Sequence, residues 1–174
     1  GNLNFMVTVK RFFLEIKSSE KKKSLKIKLP DNFEIILDNR RDFSLNKFLY
    51  KQVGTDHYWK DRLIWSDQEW LEYVSNLNLE TWVVKHKENV VGYYEQEFHP
   101  AKNEIELINV GILKEYRGKK LGSVLVLHAI ERAFSNKPKR MWVHTCSLDH
   151  KFALKNYESK GFKIFKKESV EFDI

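Results

Sequence analysis

Hydrophobic and polar positions alternate along much of this chain, and where they do not, the spacing turns helical. Met6 to Ile16 (MVTVKRFFLEI) is rich in β-branched and aromatic residues and predicts a strand. Ser18 to Lys23 reads as a polar turn with a lysine run. Leu25, Ile27 and Leu29 then alternate with Lys26 and Lys28, the pattern of a half-exposed strand, and Pro30-Asp31-Asn32 reads as a turn. Phe33 to Leu37 adds a short third strand. From Asp42 to Val53, Phe43, Leu45, Phe48, Leu49, Gln52 and Val53 fall at helical spacing, and Gly54 closes the helix. Ser66-Asp67-Gln68-Glu69 is a capping box opening a second helix with Trp70, Leu71, Tyr73, Val74 and Leu77.

Thr81 to Lys87 and Val90 to Phe98 predict a hairpin turning at Glu88-Asn89. Tyr93, Glu95 and Glu97 lie on one face of its second arm, and Tyr94 and Gln96 on the other. Arg140 to Cys146 predicts a further strand. Asp149 is placed to cap a helix running to about Lys160 and stopped by Gly161, and Phe162 to Phe172 predicts the last strand.

The stretch that organises the rest is Glu104 to Ser123. Strict alternation puts Glu106, Ile108, Val110 and Ile112 on one face, and Ile105, Leu107, Asn109, Gly111 and Leu113 on the other. Both faces are mostly apolar, as in a central strand covered on both sides. A basic loop, Lys114 to Lys120, leads into a helix over about Leu121 to Phe134, whose polar positions His128, Glu131, Arg132 and Ser135 recur at helical spacing. A helix N-terminus after a tight loop binds anions, because its first N–H groups lack partners and the helix dipole adds positive charge. Gly118 and Gly122 leave the backbone open to a phosphate, and Arg117, Lys119 and Lys120 add full charges.

Composition narrows the class. The 174 residues suffice for one domain with a real core, and 42% hydrophobic residues argue for a folded chain. One cysteine, Cys146, excludes an internal disulfide and suits a reducing cytoplasm. No apolar run approaches membrane-spanning length, and no signal-peptide core is visible. The net charge of +7 fits an anionic cofactor better than nucleic acid, for which no motif is present. The phosphate-loop pattern Gly-x-x-x-x-Gly-Lys-Ser/Thr and the dinucleotide pattern Gly-x-Gly-x-x-Gly are both absent. His144, Cys146 and Asp149 have no zinc spacing, and Cys146 has no activating partner.

Two motifs are more specific. Arg117-Gly118-Lys119-Lys120-Leu121-Gly122 after a strand resembles the Arg/Gln-x-x-Gly-x-Gly/Ala signature of the GCN5-related N-acetyltransferase (GNAT) superfamily, with Lys120 in place of the middle glycine. Ala153 to Phe162 resembles the family's C-terminal Ala-x-x-x-Tyr-x-x-x-Gly-Phe, with Tyr157 at the tyrosine. Trp142 to His150, Tyr58-Trp59 to Trp65-Ser66, and Gly92 to Glu95 are similar to a bacterial subgroup of that family. The resemblance implies an α/β fold, a mixed and largely antiparallel sheet with helices on both faces. It implies a single acetyltransferase domain over 1–174, with residues 1–40 an added N-terminal β layer and 41–174 the family core.

The same resemblance implies acetyl-CoA as cosubstrate and no metal. Its pyrophosphate would lie on the loop and helix from Arg117 through Gly118, Lys119, Lys120, Leu121 and Gly122 to Ser123, with Asn156 nearby. Its pantetheine and acetyl carbonyl would lie along Val110, Gly111 and Ile112, where the family splays its strand. His150 stands where many relatives carry a CoA-holding asparagine. Tyr157 would be the acid that protonates the departing thiolate, or else a cofactor anchor.

Direct attack needs a neutral amine, so a base is sought. Glu106 and Glu95 are the carboxylates that strand alternation puts near the centre of the sheet. Glu106, among apolar neighbours, should have a raised pKa. Both read equally well as structural partners. His144 is a lesser candidate, since a lone strand histidine is more often a satisfied core residue. Tyr58 and Trp59 either line the acceptor pocket or, with Trp65 and Trp70, belong to the core. The expected activity is acetyl transfer to a small-molecule or peptide amine by a cytoplasmic enzyme, monomeric or homodimeric, without nucleic acid or membrane partners. Transfer of a longer acyl group, or CoA sensing without turnover, are the alternatives.

Overall fold

The computed structural model describes residues 6–23, 26–149 and 151–173. Seven strands form one sheet in the order β2-β3-β4-β5-β6-β1-β7. They are β1 (Met6–Lys17), β2 (Phe33–Leu37), β3 (Leu79–His86), β4 (Asn89–His99), β5 (Glu104–Ile112), β6 (Arg140–Cys146) and β7 (Lys163–Asp173), and only β5 and β6 run parallel. The helices are α1 (Phe43–Gly54), α2 (Asp67–Ser75), α3 (Leu121–Phe134) and α4 (Ala153–Ser159). The expected mixed sheet with helices on both faces is therefore present. The expected N-terminal strand is present as β1. It lies inside the sheet, antiparallel to both β6 and β7.

Local chemistry explains most of the elements. Asp42 caps α1 by accepting from the Ser44 N–H, and Ser66 with Glu69 forms the expected capping box on α2. On α3, Leu121, Leu125, Val126, Ala129, Ile130 and Ala133 are buried and pack against the sheet with Leu107, Ile112 and Met141. A second core, Leu49, Val53, Val83 and Tyr93, lies under α1 on the opposite face.

Three expectations are corrected. Residues 26–30 form no strand, and Leu25 lies outside the described residues. The lysines and Pro30 give that segment the features that keep edges unpaired. Asp149 does not cap α4, which starts four residues later after Phe152; its carboxylate instead accepts from the Thr145 hydroxyl at 2.9 Å. The strict alternation of β5 is broken by a bulge, since Glu95 pairs Asn109 while Gln96 pairs Leu107, which leaves Ile108 as the extra residue.

That bulge changes which side chains share a face. Ile105, Leu107, Val110 and Ile112 all join the α3-side core. Glu106, Asn109 and Gly111 face the α1 side, opposite the β4 residues Glu97, Glu95 and Tyr93. Val110 is therefore not on Glu106's face, and Asn109 is.

Candidate functional site

The β5–β6 pairing runs only from Glu104–Arg140 to Leu107–Val143, although β5 continues to Ile112 and β6 to Cys146. Beyond that rung the two strands part. The closed end is tied by Arg140, whose guanidinium reaches Glu104 at 3.0 Å and Glu15 at 3.2 Å. The open end leads into a cleft of 560 Å³ between α3 and α4.

Nearly all of the residues expected to hold a cofactor line this cleft. Val110, Gly111 and Ile112 form its strand wall. Arg117, Gly118, Lys120, Leu121, Gly122 and Ser123 form its loop and helix end, and Asn156 and Tyr157 its α4 wall. Lys119 is exposed and lies outside the lining. Gly118 is left-handed (φ 85°), and Lys120, at the position of the signature's middle glycine, keeps a glycine-like backbone (φ 61°, ψ 17°). A side chain added at Gly118 or Gly122 would meet nothing within 4 Å, so the absence of one keeps the backbone accessible from the cleft. The Asn156 amide donates to the Gly122 carbonyl at 3.4 Å and links α4 to the start of α3.

Arg117 sits at the lip. Its Nε donates to the Ile112 carbonyl at 3.1 Å and one terminal nitrogen pairs with Asp56 at 3.0 Å. Tyr157 is buried, its ring edge-on to Phe162. Burial first, and the Asp149 charge second, push its phenol well above the ordinary tyrosine range. It therefore holds its proton at neutral pH, as an acid must.

The other named residues are elsewhere. Glu95 is fully buried, and its carboxylate accepts from the Asn46 amide at 2.6 Å, the Asn109 amide at 2.9 Å, the Tyr73 hydroxyl at 3.0 Å and Arg62 at 3.2 Å. Glu106 bonds His99 at 3.0 Å on the α1 side. Desolvation raises its pKa and Glu97 adds to the rise, while the His99 contact opposes it. Neither carboxylate lines the cleft. Trp59 is packed between α1 and β5, where a Cβ on Gly54 would lie 2.7 Å from Trp59 Cβ and one on Gly111 3.7 Å from the Trp59 ring. Tyr58 is exposed in a left-handed turn. His150 lies outside the described residues.

Sequence reasoning missed His57 and Asp149 as cleft residues. His57 is buried in the wall, with Nδ1 3.7 Å from an Asp149 carboxylate oxygen and Nε2 3.5 Å from Arg117. Its signal was hidden in an aromatic stretch, and Asp149 looked like a helix cap. Among the described residues no group of His, Cys, Asp and Glu could hold a metal ion.

The model of the acetyltransferase (GNAT) family matches residues 41–162. This chain belongs to the GNAT acetyltransferase family. Solved structures of similar fold include a GCN5-related N-acetyltransferase from Sphaerobacter thermophilus, with TM-score 0.73 and 10% identity over 95% of this chain and 52% of that one. An aminoglycoside acetyltransferase from an uncultured soil metagenomic sample, in complex with trehalose, has TM-score 0.63 and 13% identity over 76% of this chain and 90% of its own. An IAA acetyltransferase from Bacillus cereus has TM-score 0.59 and 23% identity over 77% and 79%. The GNAT chain spans 62% and 52% of the length of the first two solved structures it matches. No curated protein matches it. No helix among the described residues is long and apolar enough to cross a membrane.

Proposed function

We propose that this GNAT domain transfers an acetyl group from acetyl-CoA to a primary amine by direct attack, as a single acetyltransferase domain. The observation that supports it is the layout of the cleft, with an anion-suited helix start at one end, a strand opening in the middle and the protonated phenol of Tyr157 beside it. The residues fit the cosubstrate. The α3 N-terminus, Lys120 and Arg117 suit a pyrophosphate, and Asn156 fixes the geometry of that helix start. The β6-facing edge of β5 near Val110 to Ile112, past the last β5–β6 rung, leaves backbone groups for pantetheine and for the carbonyl oxygen as it gains charge. Acetyl-CoA brings an activated carbonyl and a thiolate leaving group. Tyr157 gives its proton to that thiolate, and Tyr58 or Trp59 would line the acceptor pocket.

Tyr157→Phe tests this. It removes one proton donor and leaves the ring, so kcat for thiol release should fall about 100-fold with little change in KM for acetyl-CoA. A raised KM with unchanged kcat would make Tyr157 an anchor instead.

A further inference from the structure

The cleft explains the acyl donor but holds neither carboxylate expected to take the amine's proton. The groups that face the strand opening from its other side answer this. On β6, Met141, Val143 and Thr145 are buried toward α3, so Trp142 and His144 point to the α1 side. Glu106 is opposite Trp142 within the paired part of the strands. His144 lies one residue past the last paired rung, Leu107–Val143, where the strands have parted.

His144 is exposed on this face. The helices α1 and α2 pack over β3, β4 and β5. Phe13 of β1 is opposite His144 in register, with ring centroids 5.5 Å apart, and Trp142 stacks on His144 at 6.4 Å. The segment after α1 reaches the end of β7, where Lys60 Nζ donates to the Asp173 carbonyl at 2.8 Å and sits over the Phe172 ring, and it brings the Asp61 charge to bear on the imidazole. A ring packed beside two others and exposed at the strand opening is placed for a ligand.

We propose that His144 is a catalytic residue of the transfer, accepting a proton from the acceptor amine at the mouth of the β5–β6 opening, with Phe13 of the N-terminal strand holding its ring. This rests on the N-acetyl transfer reading above. Charged groups reach the imidazole from each element around it: Arg11 from β1, Asp61 from the segment after α1, Asp149 from beyond β6 and Glu168 from β7. Desolvation first, and Arg11 second, lower its pKa against the three acids. A lowered pKa favours the neutral ring that a base needs. Glu95, saturated by four donors, and Glu106, held by His99 one rung inside the paired region, are less available.

The ammonium loses one proton to the imidazole, and its freed lone pair forms the C–N bond. The C–S bond breaks with its electron pair on sulfur, which takes the Tyr157 proton. The second proton leaving nitrogen restores the phenol, and the imidazolium releases its proton to solvent.

The test compares His144→Gln with Glu106→Gln in thiol release from acetyl-CoA, on the whole chain, with two kinds of acceptor. One is a panel of alkylamines and aminoglycosides, protonated at pH 7. The other is hydroxylamine, already neutral there. Calorimetry with acetyl-CoA and a thermal melt serve as controls. We expect His144→Gln to cut kcat/KM for alkylamines about 100-fold, to flatten its rise with pH and to spare hydroxylamine, with CoA affinity and melting unchanged. Equal loss with both acceptors, or a wild-type rate and pH profile, would overturn the assignment, and loss confined to Glu106→Gln would move the base to that carboxylate. Tight acetyl-CoA binding with no turnover of any acceptor by the wild type would remove both readings.

Discussion

Arg62 and Arg117 are the same side chain put to opposite uses. Arg62 is buried in a box of four rings, Tyr73 at 4.2 Å, Trp65 at 4.9 Å, Tyr50 at 5.4 Å and Trp70 at 5.5 Å, and pairs with fully buried Glu95. Arg117 is partly exposed at the cleft lip, and its acidic partner Asp56 is more exposed still. Every partner of the first is internal and fixed, and together they join α1, α2 and the β5 bulge. The second can trade a solvated partner for a phosphate at small cost. A charge with a sealed set of partners serves the fold, and a charge with a loosely held partner is available to a ligand.

The sharpest way to break this contrast is Glu95→Gln. It leaves the Arg62 charge buried without its counter-ion, and should cost about 3–5 kcal/mol in urea denaturation. A cost under about 1 kcal/mol would mean that the cluster is not committed to the fold. Any activity lost in this variant should track its lost stability.

Arg117→Ala should do the reverse. Its stability should stay within about 0.5 kcal/mol of the parent. Its affinity for acetyl-CoA, read by calorimetry, should fall by about 1.5–3 kcal/mol, the worth of hydrogen bonds to a charged group. Unchanged affinity would take Arg117 out of the cofactor site.

A third pair lies between the two. Arg132 grips Glu80 at 2.6 Å with both side chains partly exposed. That bond, chiefly, holds the Glu80 pKa below the ordinary carboxylate value. A lowered carboxylate stabilises the fold above its unfolded-state pKa and loses that contribution as pH falls through the folded-state value. Glu80→Gln should therefore narrow the stability gap between pH 7 and pH 3, by no more than about 1 kcal/mol after solvent screening. An equal gap in parent and variant would show the pair to be neutral.

Much of the cleft was legible because its signals are local. The strand, basic loop and α3 follow from spacing within twenty residues, and the Tyr157 motif is contiguous. The face under α1 was not. A period-of-two reading has no means to detect one extra residue, so the bulge at Ile108 put Glu106 and Asn109 on opposite faces when the structure puts them on one. Glu95 read equally well as a base and as a structural partner, because Asn46, Arg62 and Tyr73 come to it from separate elements. His144 looked like a core histidine, because the parting of β5 from β6 is a property of pairing and not of either strand. The alternation of Leu25 to Leu29 has the right period, but a strand also needs a neighbour willing to pair.

The place of β1 in the sheet also bears on how the chain acquires its structure. This strand precedes all the others, yet its partners are β6 and β7, and contacts such as Glu15 to Arg140 and Thr8 to Glu171 span 125 and 163 positions. Closing such loops costs chain entropy before any pairing repays it. During synthesis β1 has to wait for β6 on one edge and for β7 on the other, each edge bare until its partner emerges. The surroundings of His144 are therefore among the later features to form, and the half-made chain depends on the lysines beside β1 to keep it from pairing with its neighbours.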